Sequence, residues 1–240
     1  MASPLEQFEI HVLHPIKIGG IDAAFTNSSL YMATAVVAVT LFLTLGMRKA
    51  AIVPGRWQSM SEILYEFISG MVRDNAGRDA RAYFPFVFTL FMFILFANMI
   101  GLVPGAFAVT SHVIVTFALA AVVFLGVTVI AIAKHGFKFF TYFLPPDTPL
   151  YMAPLLVPIE VISYLARPIT LSLRLFANMM AGHTMLHVFA GFVIVLGVFG
   201  IAPMAVIVAL YVLELLVALL QAYVFAILTC LYLHDALHLH

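Results

Sequence analysis

The chain has 240 residues, 64% of them hydrophobic and only 9% charged, with a mean hydropathy of +1.13. Soluble domains carry about 25% charged residues, so this composition excludes a water-soluble fold and specifies an integral membrane protein. Basic and acidic residues cancel at 11 each and there is one cysteine, which argues against a nucleic-acid partner and excludes an intrachain disulfide. Four stretches lack Asp, Glu, Lys and Arg altogether: residues 23–47, 82–133, 175–213 and 215–234. A spanning helix needs about 20 apolar residues, so these stretches set the layout.

Residues 1–27 read as a polar outer tail with Pro4 and Pro15. They lack a basic segment followed by an apolar one, so no cleavable signal peptide is expected. The first span is expected over residues 28–47. Over residues 57–80, Met60, Ile63, Leu64, Phe67, Ile68 and Met71 recur at helical spacing, with Glu62 and Glu66 on another face. That pattern predicts an amphipathic helix lying along the membrane surface. Residues 83–133 form a two-span hairpin turning at Pro104 and Gly105, and Asn98 in its first span reads as an interhelical hydrogen bond. Pro145, Pro146 and Pro149 then break the chain.

Residues 149–235 hold two helices too long to stand upright. A continuous helix from Pro149 to Gly197 would run about 73 Å, against a hydrocarbon core of ~30 Å. Either Pro154, Pro158 and Pro168 interrupt it, or it lies strongly tilted, or both. Such a pair suits a curved partner laid alongside. The expected fold class is therefore all-α: five membrane helices and one amphipathic surface helix, the last two forming a tilted antiparallel hairpin.

Basic residues set the orientation. Arg48, Lys49, Arg56, Arg73, Arg78 and Arg81 lie between the first two spans, and Lys134 and Lys138 follow the third. Such loops stay cytoplasmic, which puts the N-terminus outside and the C-terminus in the cytoplasm.

Ionisable groups within the membrane are costly, and they concentrate in the last two helices. Glu160, Arg167, Arg174, His183 and His187 lie on one, Glu214 and Gln221 on the other. On a helical wheel Asn178 and Arg167 fall within about 40° of Arg174, whereas His183 and His187 fall on nearly the opposite face. Folding the pair about Gly200 brings Glu214 level with the two histidines, Gln221 level with Asn178 and Asp235 level with Arg167. Arg174 comes level with Ala226, and Glu160 is about 21 Å away along its own helix. Its counter-charge is therefore expected from another chain. Small residues beside it, Ala177, Ala181 and Gly182, let another helix approach. A fixed cation at mid-depth drives the proton off a passing carboxylate.

Arg174 sits in Leu-Ser-Leu-Arg-Leu-Phe-Ala-Asn-Met-Met-Ala-Gly-His, residues 171–183. The stretches Phe96-Ala97-Asn98-Met99-Ile100-Gly101-Leu102-Val103-Pro104 and Leu220-Gln221-Ala222-Tyr223-Val224-Phe225 accompany it. Together they resemble subunit a of F-type ATP synthases across about residues 25–235. The resemblance implies that Arg174 is the essential stator charge facing the carboxylates of a rotor c-ring. It implies a proton path through Asn178, His183, His187, Glu214 and Gln221, with Glu160 and Ser163 toward the cytoplasmic exit. His183 and Glu214 occupy positions where other members carry a carboxylate and a histidine in swapped order. Gly101 stands where many bacterial members carry an acid.

The implied partners are the c-ring, b-type peripheral stalk subunits, other synthase subunits and the lipid bilayer, with no nucleic acid. No cofactor or metal is expected, although the His183/His187 pair at i, i+4 also has the spacing of a divalent-metal site. The chain is not expected to be an enzyme on its own, since nothing in it resembles a phosphate-binding loop. The implied location is a bacterial inner membrane, with an organelle-encoded chain as the alternative. A self-contained transporter is disfavoured, because neither internal repeats nor paired carboxylates are present.

Overall fold

The computed structural model describes residues 9–14, 17–18, 21–22, 24–48, 51–136, 139 and 152–238. Pro4, Pro15, Lys49, Lys138, Pro145, Pro146 and Pro149 lie outside the described residues. Six α-helices carry the fold: α1 (Asn27–Met47), α2 (Arg56–Ala76), α3 (Phe84–Gly101), α4 (Val113–His135), α5 (Ala153–Leu196) and α6 (Ile201–Leu237). Among the described residues, five helical segments are long and apolar enough to cross a membrane; α2 is not one of them. The chain is an all-α membrane protein.

The helix boundaries have local causes. Thr26 accepts a hydrogen bond from the Ser29 amide and caps α1. Pro85 occupies the first turn of α3, where a missing N–H costs nothing. Gly105, with φ +85°, turns the chain between α3 and α4. Ahead of α1, the polar tail is folded rather than extended. Val12–His14 pairs antiparallel with Phe25–Thr26, and Lys17–Ile18 pairs with Ile21–Asp22. Asn27 ties this hairpin to α1, donating to the Glu9 carbonyl at 3.1 Å and accepting from the His11 amide at 3.3 Å.

Helix α3 is the centre of the bundle, packed against α1, α2 and α6. It is apolar all round, as a helix enclosed on every side should be, and Val87, Met92 and Ile94 are fully buried. In hydrocarbon every polar group must be satisfied within the protein. The fully buried Asn98 donates to the Ala218 carbonyl of α6 at 3.2 Å and accepts from the Thr110 hydroxyl at 2.9 Å. On the other flank, Thr116 meets Ser172 at 3.1 Å and Thr128 meets Tyr164 at 2.7 Å, joining α4 to α5.

Helix α2 differs in detail from its sequence pattern. Of the expected apolar stripe, Ile68 and Met71 are buried, while Met60, Ile63 and Phe67 remain exposed. The buried side also takes in Gln58 and Ser61, because both are internally satisfied. Gln58 bonds the Ala51 backbone and Glu62, and the Ser61 hydroxyl donates to the Trp57 carbonyl. Gly46 of α1 faces Ser61 so closely that a β-carbon there would collide with it.

Helix α5 runs unbroken through Pro158 and Pro168 for 44 residues, about 66 Å. The expected interruption by the prolines does not occur: Pro154 falls in the first turn, and Pro158 and Pro168 lie inside a continuous helix longer than a hydrocarbon core is thick. α6 is nearly as long, at 37 residues. A 3₁₀ turn at Gly197–Gly200 joins the two, which lie antiparallel against each other.

Replacing Asn98 by Leu should destabilise the protein by about 1–3 kcal/mol, because the Thr110 hydroxyl is left buried without its acceptor. Thermal unfolding in detergent reads the loss. Thr110→Val on the Asn98→Leu background should recover part of it, a non-additivity that two independent sites would not show.

Candidate functional site

Three polar contacts cross the seam between α5 and α6. Arg167 donates to Asp235 at 3.1 Å, Asn178 donates to Gln221 at 2.8 Å, and His183 Nε2 lies 3.6 Å from Glu214 Oε1. All three fall on the register of antiparallel helices folded about Gly200. Along α5 they span 16 residues, roughly 24 Å of helix axis. Arg167 also lies over the rings of Tyr164 and Tyr232, at 5.4 and 5.0 Å.

Arg174 lies between the first two rungs but does not join them. Its side chain is exposed, and among the described residues it has neither a hydrogen bond nor an ion pair. Leu171 and Leu175, either side of it, are fully buried and hold this stretch of α5 in place. Ala177, Asn178 and Ala181 share its exposed flank. An open groove of about 550 Å³ continues along that flank, walled by Phe176, Ala177, Ala181 and Met185. A guanidinium thus stands on an apolar surface with room beside it and no acid among the described residues paired with it.

His183 and Glu214 are both buried, at 7% and 4% exposure. Gly182 is what admits the carboxylate: a β-carbon there would lie 2.6 Å from Glu214 Oε1. No described donor hydrogen-bonds either carboxylate oxygen, and His183 is its ion-pair neighbour among the described residues. Such a pair can hold a proton between two groups. The more exposed His187 donates from Nδ1 to the His183 carbonyl at 3.0 Å.

A cavity of about 210 Å³ leads to this pair from the loop after α3, with Gly101, Pro104, His183, His187 and Tyr211 in its wall. Packing at Gly101 is tight: a β-carbon would approach the Ala108 Cα to 3.2 Å. Tyr211 donates to the Leu102 carbonyl at 2.9 Å and fixes the loop over α6. Sequence reading did not single out Tyr211. Its position one turn before Glu214 on the same helix face was the available signal. Glu160 and Ser163 stand apart from these groups, nearer the start of α5, half-buried and exposed respectively.

The residues brought together are thus Asn178 with Gln221, and His183 with Glu214 and His187. Arg174, Glu160 and Ser163 are presented outward or apart. Among the described residues no group of three or more His, Cys, Asp and Glu side chains could hold a metal ion.

The family model described as ATP synthase A chain matches residues 29–234. The chain is 61% identical to ATP synthase subunit a of Parvibaculum lavamentivorans, covering 98% of this chain and 93% of the relative. It is 56% identical to ATP synthase subunit a of Paramagnetospirillum magneticum over the whole of both. Against ATP synthase subunit a of Pelagibacter ubique the identity is 54%, covering 99% and 98%.

Gly182→Ala should force the Glu214 side chain out of its place and cost about 1–3 kcal/mol, the usual penalty for overpacking. A lowered unfolding midpoint in detergent checks this. Ala181→Gly, one residue away on the exposed flank, should leave the Glu214 packing undisturbed.

Proposed function

The chain belongs to the ATP synthase A chain family, and from that premise we propose that it is the stator subunit through which proton flow turns a ring of c subunits. It is a multi-pass protein of the bacterial inner membrane, like the subunits it resembles, and a component of the ATP synthase complex. ATP chemistry belongs to other subunits of that complex, with b-type stalk subunits holding this one still. The basic loops after α1 and α4 face the cytoplasm, so the N-terminus is periplasmic and the C-terminus cytoplasmic.

The observation that carries this reading is the exposed Arg174 on an apolar flank of α5, without a hydrogen bond or ion pair among the described residues. A cation at mid-bilayer costs at least about 2.5–3.5 kcal/mol unless an anion or water meets it. A rotor carboxylate passing along the groove supplies that anion, one subunit at a time. Proximity to the guanidinium favours the ionised carboxylate and expels its proton. The same fixed charge repels a proton that would otherwise leak straight across.

Two separate routes then give direction. On the outer side, protons reach the His183–Glu214 pair through the cavity under the loop after α3, with His187 beside it. They pass on by Asn178 and Gln221 to the rotor. On the cytoplasmic side they leave by Glu160 and Ser163. Because Arg174 lies between the two routes, a proton must ride the ring to get from one to the other. Each crossing delivers about 2.3 kcal/mol per 100 mV.

Replacing Arg174 by Ala or Gln in the assembled complex should reduce ATP-driven proton pumping into inverted vesicles below about a tenth of normal, since the missing interaction exceeds about 1.4 kcal/mol. Pumping retained with both substitutions overturns the proposal. Glu214→Gln keeps the shape of the side chain and removes its proton exchange; proton conduction should slow severalfold while assembly is unaffected. An undiminished passive conductance in rotor-containing vesicles would remove Glu214 from the route.

A further inference from the structure

Where α2 gives way to α3, a cavity of about 560 Å³ lies open, and its lining is mixed in chemistry. Arg73, Arg81, Tyr65 and Ser69 line it together with Phe84 and Pro85. Among the described lining residues there is no acid. The geometry has a local origin. Tyr65, Ser69 and Arg73 recur every fourth residue and share one face of α2. Gly77, at φ +84°, then reverses the chain so that Arg81 returns over that face.

Both cations are available for a ligand. Arg81 is exposed and forms no hydrogen bond or ion pair with a described residue. Arg73 touches the neighbouring Asp74 through Nε at 3.3 Å, and both side chains are about 70% exposed (73% and 68%), so water screens that pair. Its remaining N–H groups form no hydrogen bond with a described residue. The hydroxyls of Tyr65 and Ser69 add neutral donors to the lining.

The depth of the cavity narrows the choice of ligand. The apolar segment that includes α3 begins at Asp79, so the cavity stands at the boundary between water and hydrocarbon. Tyr65 packs edge-on against Phe84 at 4.8 Å, as aromatic residues do at that level. We propose that this cavity binds the phosphate headgroup of an anionic phospholipid, with the phosphodiester between Arg73 and Arg81 and the glycerol against Phe84 and Pro85. Guanidinium groups match phosphate oxygens in pairs, and basic pockets at this level take such headgroups. The volume is several times what inorganic phosphate needs, and a free anion has no use for the apolar wall. A zwitterionic headgroup would set its ammonium against two guanidinium groups.

The test uses the assembled synthase complex in nanodiscs of phosphatidylcholine with a minor share of phosphatidylglycerol carrying a photoreactive diazirine on its head glycerol. Labelling should concentrate in peptides covering residues 65–85. Unlabelled phosphatidylglycerol should displace it, and neither additional phosphatidylcholine nor inorganic phosphate should. Arg73→Gln with Arg81→Gln should lower labelling about tenfold, two cations at about 1 kcal/mol each allowing that much. Ala82→Phe, which fills the cavity and keeps both arginines, should lower it as well, and it carries the test if the double variant fails to assemble. Labelling indifferent to these substitutions, or displaced equally by phosphatidylcholine, overturns the proposal. Displacement by inorganic phosphate overturns it in favour of a soluble anion.

Discussion

Hydrocarbon offers a polar group no partner, and the arrangement of α5 and α6 follows from that constraint. Each polar side chain placed on the seam is matched across it or beside it: Arg167 by Asp235, Asn178 by Gln221, Glu214 by His183. The matching sets the register of the pair, because a shift of one residue turns the opposing side chains away by about 100°. Arg174 stands outside this scheme. Its neighbours Leu171 and Leu175 are sealed into the core while the guanidinium projects from it. The polar groups of the seam thus have neighbours across it, although neither Glu214 oxygen takes a hydrogen bond from a described donor, whereas Arg174 projects from one flank.

Much of this was legible in the sequence, because helices of known rise turn residue numbers into depths. The pairing of Gln221 with Asn178 and of Asp235 with Arg167 follows from antiparallel packing about Gly200 alone. The level of Glu214 follows in the same way, but not the close approach of its carboxylate to Gly182, which depends on side-chain conformation. The five apolar helices came directly from the charge-free runs. The fold of the tail before α1 did not, since its short strands are held by Asn27 acting at a distance of 16–18 residues. Nor did the orientation of α2. Periodicity locates an apolar stripe but does not say which neighbour it meets, and Gln58 and Ser61 could be buried only because each found a backbone partner.

Gly101 illustrates the same limit in a different way. A glycine in a span is permissive by sequence, and its meaning lies in what crosses it. Here the returning loop brings Ala108 within reach of where a side chain would begin. The loop is drawn in by Asn98 and Thr110 below and by Tyr211 from α6. A small residue, a buried amide and a tyrosine, distant in sequence, thus shape the wall of one cavity.

The hydrogen bonds that moor the long pair to the rest of the bundle have a mechanical meaning. α6 is tied to α3 through Asn98, and α5 is tied to α4 through Ser172 and Tyr164. Ser172 lies two residues from Arg174, so the mooring sits almost beneath the charge. A sideways pull on that guanidinium is passed within a single turn into α4 instead of bending α5. Helices held at mid-length in this way resist shear as a braced beam does, whereas a pair joined only at its terminal loop would swing like a cantilever. Stiffness here comes from where a few hydroxyl groups are placed, more than from how many there are.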